Sequence, residues 1–427
     1  MVFGACSELI GVKVSFHWDH HRLVVEAECE SSEPKRDQPR MAETSFFVDL
    51  PSVEGLHDIH PDHLAMAAFL VFRPWIAQRI EFDLPVSQRF ADALSHQRIK
   101  AHPVDANLES YLPEGSGYMG LAYSGGADST AALAVLPLTT VPVFLDRPDR
   151  LKSLYRKEAA LQSCRQLKQI GYNVHVVACD LESVRDPIGF PTDLANGVPA
   201  LLLARHLNLN SISYGTVFES LYGLGRTVYK EYGLTSHHRS WWELFEAIGV
   251  PLSFPVGGVS EVGTELICSR SSFSSLARSC IRGSMESPCQ RCWKCFRKST
   301  VRQALGLEDG NRKALEQMLA SKEVRLKLSS IPISHEDVLV HSFSKLNFDD
   351  YPDGFRQRLS YHDNLGALER WYSPSLDYVH PSAQEAVKAT MARYLEPMSL
   401  EDERTVEAWD IRDIIPDLEP LVLDDQL

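Results

Sequence analysis

The sequence has no long hydrophobic run and no basic stretch ahead of one. No apolar segment reaches the roughly 18 residues that a helix needs to span a bilayer. Residues 1–10 contain neither Lys nor Arg, so no secretory signal is evident. We therefore expect a soluble, cytoplasmic protein that does not bind membranes.

Basic residues are also in short supply. The 427 residues include 43 Lys and Arg against 57 Asp and Glu, which gives a formal charge of -14. A protein whose whole surface binds nucleic acid leans basic, so any RNA contact must be a local patch. Gly and Pro, at 24 each, are too few for a collagen-like or a largely disordered chain.

The nine cysteines are an odd number in a long chain without an export signal, which argues against a disulfide framework. Four of them crowd together with the spacing Cys280-x8-Cys289-x2-Cys292-x2-Cys295. A Cys-x2-Cys step lets two thiolates bind one ion, and four thiolates complete the tetrahedral shell of a structural Zn²⁺. The spacing predicts a closed zinc loop at these four residues. An iron–sulfur cluster and unligated buried cysteines are the alternatives.

Residues 1–113 have the pattern of a small α+β domain. Apolar and polar residues alternate at 12–18 and again at 23–27, which predicts a β-hairpin. A helix is predicted to begin at Pro61, and Ser87 is predicted to cap another.

In residues 114–305 strands and helices alternate, which predicts a parallel, doubly wound sheet with helices on both faces. The predicted strands are 119–123, 141–145, 174–179 and 211–215, and the predicted helices are 128–136, 150–170 and 192–207. Residues 306–427 are charged and mainly helical. There we predict a helix at 312–328, a helix start at 334–337 and, after Glu401, an acidic tail that forms a short helix or trails in solvent.

The clearest local signal is Ser124-Gly125-Gly126-Ala127-Asp128-Ser129-Thr130, directly after the predicted strand 119–123. Two glycines let the backbone lie close to a phosphate, and the free amides that open the next helix attract anions. Ser124, Ser129 and Thr130 add hydroxyl donors, and Asp128 would hold a cation or orient a loop amide. No Gly-Lys-Ser/Thr follows, so this is not a Walker loop. A capped turn without a ligand is the alternative.

Together, the glycine loop and the cysteine loop resemble the PP-loop ATP pyrophosphatase superfamily, and within it the 7-cyano-7-deazaguanine synthase family. The resemblance covers roughly residues 117–304. It implies an α/β fold of the PP-loop (HUP-like) type with a zinc loop, to which the N-terminal α+β domain and the C-terminal helical region are added.

The resemblance also implies a ligase-type reaction. Such enzymes split ATP into AMP and pyrophosphate, adenylate a carboxylate or carbonyl oxygen, and let a nitrogen or sulfur nucleophile displace AMP. For this chain we expect a carboxylate, with ammonia or an amine as the nucleophile. Ser124, Gly125, Gly126, Asp128, Ser129 and Thr130 would bind the pyrophosphate end of ATP with Mg²⁺. Ser124, Asp128 and Ser129 would be catalytic, and Asp146 would lie near the adenine.

The acceptor would be a small-molecule or protein-borne carboxylate, as in a 7-deazaguanine pathway or in a diverged anti-phage or modification pathway. The oligomeric state stays open, with a homodimer as one alternative.

Two other functions fit the sequence. One is RNA thiolation, which needs a reactive cysteine near ATP, and Cys179 is the candidate. The RNA substrate would bind the region 270–298, which contains seven basic residues and one acidic residue. These charges would attract ATP, an anionic substrate or RNA, or form an ordinary solvated surface. The other function is a nucleotide-binding scaffold without turnover.

A group of three histidines and one aspartate are further candidates for metal or ligand binding. His57-x2-His60-x2-His63 has metal-like spacing, but Pro61 lies inside it and three-residue steps diverge around a helix, so unligated histidines are favoured. Asp180 follows the third predicted strand, where α/β sheets place ligand-facing residues.

Overall fold

The computed structural model describes residues 11–29, 39–149, 155–284, 287–308, 312–346 and 365–418. The strands, in chain order, are β1 (Gly11–Asp19), β2 (Arg22–Cys29), β3 (Arg40–Met41), β4 (Ser45–Asp49), β5 (Arg79–Ser87), β6 (Lys100–Asp105), β7 (Tyr118–Tyr123), β8 (Val141–Asp146), β9 (His175–Ala178), β10 (Arg185–Asp186), β11 (Leu209–Ser213) and β12 (Leu252–Ser253). The α-helices are α1 (Pro61–Phe72), α2 (Gln88–His96), α3 (Ala127–Val135), α4 (Glu158–Gln169), α5 (Val198–Leu202), α6 (Phe218–Leu221), α7 (Ser236–Ala247), α8 (Glu261–Arg270), α9 (Trp293–Ala304), α10 (Arg312–Leu319), α11 (Lys322–Leu328), α12 (Glu336–Lys345), α13 (Gln384–Met391) and α14 (Leu400–Glu407). Within these ranges, no helix combines the length and the apolar character needed to cross a bilayer.

The first sheet has the strand order β4-β2-β1-β5-β6. β1 and β2 pair antiparallel, which confirms the predicted hairpin, and β1 pairs in parallel with β5. α1 begins at Pro61 as predicted, because proline lacks the N–H that the first turn of a helix would leave unpaired. The Ser87 hydroxyl caps α2 by accepting a hydrogen bond from the Phe90 N–H.

The second sheet is parallel throughout and has the order β12-β11-β7-β8-β9. The chain starts at the central strand β7, adds β8 and β9 on one side, and then crosses over to add β11 and β12 on the other side. This confirms the predicted parallel α/β arrangement. The strand order reverses beside β7, and ligands of open α/β sheets bind beyond the strand ends at such a position.

Apolar helices cover both faces of this sheet. Leu121 and Phe144 pack into one cluster with α3, α4 and α8, whereas Ala122 and Val143 pack into another with α1, α5 and α7. Successive side chains of a strand point to opposite faces, so each central strand serves both cores. The β7 and β8 sequences are therefore almost continuously apolar, as buried parallel strands are.

The two five-stranded sheets meet at their edges. Val48 on β4 forms a bridge with Cys179, just after β9, and the Asp180 carboxylate accepts a hydrogen bond of 2.7 Å from the Phe47 N–H. Asp180 therefore has a structural role at this joint. One apolar cluster continues from β1 and α1 into α5 and α7, so residues on both sides of position 113 share a core.

Three predicted helices are wrong in extent. In place of a helix at 192–207, a 3-10 turn leads into the short α5, and Asn208 turns the chain towards β11 with a left-handed φ of 52°. The Asn208 side chain bonds both the backbone N–H and the carbonyl of Glu114, which stabilises this turn. The helix at 150–170 is α4, which begins only at Glu158; residues 150–154 lie outside the described part of the chain.

The predicted helix 312–328 is two helices, α10 and α11. The break lies at Ser321, whose hydroxyl donates to the Arg291 carbonyl at 2.6 Å. This contact ties the break to the cysteine loop, 30 residues earlier in the chain. Helical periodicity continues through the break because both helices turn their apolar side chains to the same core.

The C-terminal region packs on the second sheet's helices. α10 and α12 contact α9, and α13 contacts α3. The predicted helix start at 334–337 is confirmed by α12, and the acidic tail contains the short α14. Ser399 and Asp402 form a capping box at the first turn of α14.

Candidate nucleotide and metal sites

The glycine loop joins the end of β7 to the start of α3. Gly125 has a φ of +74°, a left-handed conformation that glycine adopts without strain. A Cβ at Gly125 would stand 3.1 Å from the Cα and Cβ of Ala160 on α4. Gly126 precedes the first helical residue and makes no side-chain cap, so no carboxylate or hydroxyl of its own covers the helix N-terminus. Gly125 and Gly126 are both buried, and the Gly126 N–H donates to Ser124 Oγ at 3.4 Å, so an anion would bind here in competition with a hydroxyl group.

Hydroxyl groups fix the shape of this loop. Ser129 Oγ accepts from the Ser124 N–H at 3.2 Å, lies 3.0 Å from Ser124 Oγ, and donates to the Gly126 carbonyl. From the cysteine loop, Ser279 Oγ accepts from the Ala127 N–H at 3.2 Å. Ser124 is exposed at the loop, whereas Thr130 is buried and its hydroxyl lies 3.3 Å from that of Tyr123. Ser124 and Ser129 thus shape the loop, and Thr130 belongs to the core behind it.

A glycine from a neighbouring strand braces the loop. A Cβ at Gly215, just after β11, would lie 2.6 Å from the Ser129 backbone nitrogen and 2.8 Å from the Asp128 carbonyl carbon. Only a residue without a side chain lets these two segments approach so closely. The sequence places Gly215 at the end of a predicted strand but gives no sign of its partner, 86 residues away in the chain, so this residue was missed.

Asp128 does bind a cation, and that cation is a lysine. Its Oδ1 lies 3.2 Å from Lys298 Nζ and accepts a hydrogen bond of 3.0 Å from Thr264 Oγ1. Lys298 is 5% exposed and also lies 3.4 Å from Glu265 Oε1. Burial acts to lower the pKa of Lys298, but Asp128, Glu261 and Glu265 outweigh it, so the pKa is raised and the ammonium stays charged.

This ion pair belongs to a network between α8 and α9. Glu261 and Glu265 are one turn apart on α8. Glu261 binds Arg297 through two hydrogen bonds, of 2.8 and 2.6 Å, and Glu265 binds Arg302 at 3.0 Å. Burial acts to raise the pKa of Glu261, but Lys298 and Arg297 reverse this effect and lower it.

The four cysteines form one cluster, as predicted. The Sγ atoms of Cys280, Cys289, Cys292 and Cys295 all lie within 4.8 Å of one another. Cys289 Sγ and Cys295 Sγ are 3.7 Å apart, close to the roughly 3.8 Å edge of a tetrahedron with metal–sulfur bonds of about 2.3 Å. Cys292 also caps α9, because its Sγ accepts from the Cys295 N–H.

The chemistry of this cluster suits a metal ion. Hydrogen bonds from Cys292 and Cys295 lower the pKa of Cys280, whereas the bond to Cys280 raises the pKa of Cys292 to about 11. Without a cation, the ionisation of one of these thiols therefore disfavours the ionisation of its neighbours. A bound cation removes the repulsion between thiolates, so these residues fit a metal with four sulfur ligands.

A cavity of about 180 Å³ opens above the glycine loop. Its walls include Ser124 and Gly126 of the loop, Phe144 and Leu145 at the end of β8, and Lys294 of α9. Asp146 lies beside this cavity but not in its lining. Its Oδ1 is 2.9 Å from Lys157 Nζ. The structure thus brings the loop and the end of the second strand of this sheet together, with a lysine facing both.

A larger cavity, of about 500 Å³, adjoins the first. It lies between the cysteine loop, α9 and α10, and Ser287, Lys294, Ser299 and Met318 contribute to its lining. The two cavities share a wall. The shared residues are Ala159, Arg278, Ser279, Cys280 and Lys294.

The basic residues of 270–298 do not form one solvated surface. Arg297 and Lys298 are buried in ion pairs, and Arg282 pairs with Glu323. Arg291 is exposed, and Lys294 lines both cavities. The region therefore divides between structural ion pairs and a few cations that face ligand-sized space.

The histidines and Cys179 have structural surroundings. The rings of His60 and His63 lie 2.9 and 3.1 Å from the backbone carbonyls of Glu109 and Ile248, so these histidines are ordinary buried side chains. Cys179 is 1% exposed, and burial raises the pKa of its thiol well above the ordinary value. A thiol in this state is a poor nucleophile.

A protein-family model described as "Family of unknown function (DUF6395)" matches residues 240–410 of the chain. This stretch contains the cysteine cluster, α9 and most of the C-terminal helices, and it does not reach the glycine loop. No curated protein and no solved structure matches the chain.

Proposed function

We propose that this protein is an ATP-dependent, adenylate-forming enzyme of the PP-loop type, which activates a carboxylate for attack by ammonia or an amine. The observation that carries the proposal is the position of the Ser124–Ser129 loop. The loop follows the central strand of a parallel sheet, beside the point where strand order reverses, and opens into a cavity bounded by the end of β8. A glycine-rich loop at that position is suited to hold phosphates.

The loop would take the pyrophosphate end of ATP. The Gly126 and Ala127 amides and the Ser124 hydroxyl supply neutral donors, and Lys294 supplies a positive charge. The Gly126 N–H already donates to Ser124 Oγ, and the Ala127 N–H to Ser279 Oγ. A phosphate oxygen would therefore replace these hydroxyl groups or share the donors with them. Donors fixed in this way stabilise the charge that builds on a leaving pyrophosphate.

The two metals would have separate roles. Mg²⁺ would be held by phosphate oxygens with Asp128 as the loop carboxylate, although Asp128 Oδ1 already binds Lys298 and Thr264. Zn²⁺ would be held by Cys280, Cys289, Cys292 and Cys295. Four thiolates leave no ligand position for water, so this ion would fix the loop rather than react. An iron–sulfur cluster is the alternative occupant of the same four sulfurs.

The reaction needs no base for its first step. An ionised carboxylate oxygen attacks the α-phosphorus, the bond from that phosphorus to the bridging oxygen breaks, and pyrophosphate leaves with the electron pair. Ammonia then attacks the carbonyl carbon of the mixed anhydride, AMP leaves, and the nitrogen releases a proton to give the amide.

The test is product analysis. The protein is incubated with Mg·ATP and 7-carboxy-7-deazaguanine, with and without ammonium. We expect AMP and pyrophosphate in equal amounts, and a product lighter than the acid only when ammonium is present. Release of ADP and single phosphate, in place of AMP, would contradict the proposal. ATP binding without any turnover across a panel of carboxylates would favour a nucleotide-binding scaffold.

RNA thiolation is less well supported by the same geometry. Its candidate sulfur carrier, Cys179, lies in the joint between the two sheets and does not line either cavity. The amide-forming reaction requires no cysteine nucleophile, so it agrees better with the residues around the glycine loop.

A further inference from the structure

The larger cavity has an excess of unpaired positive charge. Four cations line it: Arg278, Lys294, Lys298 and Arg302. Lys298 is paired with Asp128 and Glu265, and Arg302 with Glu265 and Glu308.

Lys294 and Arg278, by contrast, have no carboxylate within ion-pair distance in the described part of the chain. The two carboxylates in the lining, Glu265 and Glu308, are both engaged by those paired cations. The charge left over is therefore positive, and it lies at the wall shared with the smaller cavity.

Lys294 stands at the junction of the two cavities. Its Nζ lies 4.0 Å from the point that a Cβ on Gly126 would occupy, so the ammonium is at the mouth of the glycine loop. The residue sits in the first turn of α9, between Cys292 and Cys295. The cysteine cluster therefore fixes the start of the helix that carries this lysine.

The remaining lining is polar and rich in hydroxyl groups. Serines line the cavity at positions 274, 279, 284, 287 and 299, together with Gln290 and Gln303. A volume of about 500 Å³ lies within the range of small-molecule sites. An apolar acyl chain would leave these groups without partners, whereas a ligand with several polar groups would satisfy them.

We propose that the larger cavity binds the acceptor substrate as a polar anion, whose carboxylate meets the nucleotide at Lys294. This inference rests on the adenylating function proposed above and adds the place and chemical class of the acceptor. Two anions, the carboxylate and the α-phosphate, must approach each other for reaction. An ammonium between them offsets their repulsion, so Lys294 is assigned as a catalytic residue that contacts both.

The test uses pyridoxal 5′-phosphate, a polar anion with an aldehyde that reacts with amines. Its aldehyde and the Lys294 amine would form an imine with loss of water, and borohydride would reduce that imine to a stable secondary amine. Peptide mass spectrometry then measures labelling at each lysine. We expect Lys294 to be labelled at least about tenfold faster than the exposed Lys13, because the cavity concentrates the anion.

Two serine variants supply the matched comparison. Ser274 lines the larger cavity only, and its neighbour Ser275 lines neither; both are exposed. Ser274→Trp should slow labelling of Lys294 at least about fivefold, and Ser275→Trp should leave it unchanged. Equal labelling of Lys294 in both variants, or labelling no faster than at Lys13, overturns the proposal.

A second measurement separates this inference from the proposed function. Lys294→Gln should lower AMP release with 7-carboxy-7-deazaguanine at least about a hundredfold, while Arg291→Gln, a change at an exposed neighbour, should not. Zinc content and melting temperature should be equal in both variants. If the wild type releases no AMP yet Lys294 is labelled selectively, the adenylating function fails and the anion site stands. If the wild type releases AMP and Lys294→Gln does so equally, the assignment of Lys294 fails alone.

Discussion

At the residue scale, the glycine loop depends on close packing at positions where one added methyl group would overlap a neighbouring segment. Gly215 touches the backbone of Asp128 and Ser129, and Gly125 touches Ala160. Asp128 in turn neutralises a lysine that is almost fully buried. The loop is therefore supported by neighbours that are distant in the sequence, and small changes at those neighbours should alter it.

Gly215→Ala should destabilise the protein by about 1–3 kcal/mol, the usual cost of forcing an extra methyl group into a packed site. The added Cβ would overlap backbone atoms of the loop, which cannot move aside as a side chain can. Urea unfolding measures the loss, and if the loop binds ATP as proposed, binding of α,β-methylene-ATP should weaken with it. Gly189→Ala is the control, because its Cβ would be 3.8 Å from the nearest atom, on Arg185. Equal stability of the two variants would contradict the contact.

Asp128→Asn should lower stability by about 1–3 kcal/mol, because the buried Lys298 loses one of its anionic partners. Glu265 remains beside the lysine, which limits the loss. If the loop binds ATP as proposed, release of pyrophosphate should also fall. Circular dichroism establishes that the fold persists, and a pyrophosphate assay measures the activity. Wild-type turnover in this variant would count against any role of Asp128 in catalysis.

Asp337 should make stability depend on pH. It is fully buried, and neither of its carboxylate oxygens has a hydrogen-bond partner in the described part of the chain. Burial, with smaller contributions from Glu261 and Glu336, raises its pKa from 3.8 to about 7, although the Val338 backbone N–H and Arg297 act to lower it. The nearby Glu219 also has a raised pKa, because of burial first and Asp337 second.

The sign follows from proton binding. Between about pH 4 and pH 7 the folded protein keeps a proton on Asp337 that the unfolded chain has released, so stability falls as the pH rises. The slope from this group approaches about 1.4 kcal/mol per pH unit. In urea unfolding, the free energy of unfolding of Asp337→Asn, relative to that of the wild type, should therefore increase steadily from pH 5 to pH 7 and stay constant above pH 7. Unfolding curves that run parallel at every pH would refute this assignment.

At the scale of elements, α9 joins the separate parts of the site. Cys292 is its N-cap, its first turn carries Lys294 and Cys295, and its second turn carries Arg297 and Lys298. One helix thus holds two sulfurs of the cluster, the cation of the two cavities and the partner of Asp128. The position of each group depends on the start of this helix, which the cysteine cluster fixes.

If the cysteine cluster holds zinc and the glycine loop binds ATP as proposed, removal of the metal should inactivate the site, although the ion would perform no chemistry. The shared cavity wall includes Ser279, Cys280 and Lys294, and all three lie in or beside the cysteine loop. We expect a chelator to lower the melting temperature and to weaken α,β-methylene-ATP binding at least about tenfold, because metal binding supplies folding energy to such loops. Metal analysis should find one zinc per chain before treatment, and added Zn²⁺ should restore binding. Full ATP binding by metal-free protein would disprove this coupling.

At the scale of the whole molecule, the local features are those that the sequence predicts well. The hairpin, β7, β8 and the turn into α3 follow from short patterns of apolar residues and glycine. The contacts that complete the site join residues far apart: Asp128 with Lys298, Gly215 with Ser129, and Ser321 with Arg291. Such contacts leave no periodic pattern, which explains why the helix break at Ser321 and the brace at Gly215 could not be predicted.

The C-terminal region should be required for folding of the second sheet. Leu315 and Phe343 of this region bury Phe296 of α9, and Val387 and Met391 of α13 pack in the cluster that contains α3. A chain ending at residue 305 would expose these faces and should aggregate or lack a cooperative melting transition. Co-expression of residues 306–427 as a separate chain should recover soluble protein. A stable, cooperatively folded 1–305 fragment would show that the two cores are independent.

The joint between β4 and β9 also has a consequence for self-association. Each is an outer strand of its own sheet, and an outer strand with unpaired backbone groups is a template for intermolecular pairing. Here the two edges pair with each other, through the bridge of Val48 and Cys179 and the hydrogen bond from the Asp180 N–H to the Phe47 carbonyl. On the opposite sides, β6 is interrupted by Pro103 and β12 is only two residues long. In the part of the chain that the structure describes, this arrangement leaves little edge on which a second copy could extend either five-stranded sheet into a fibril.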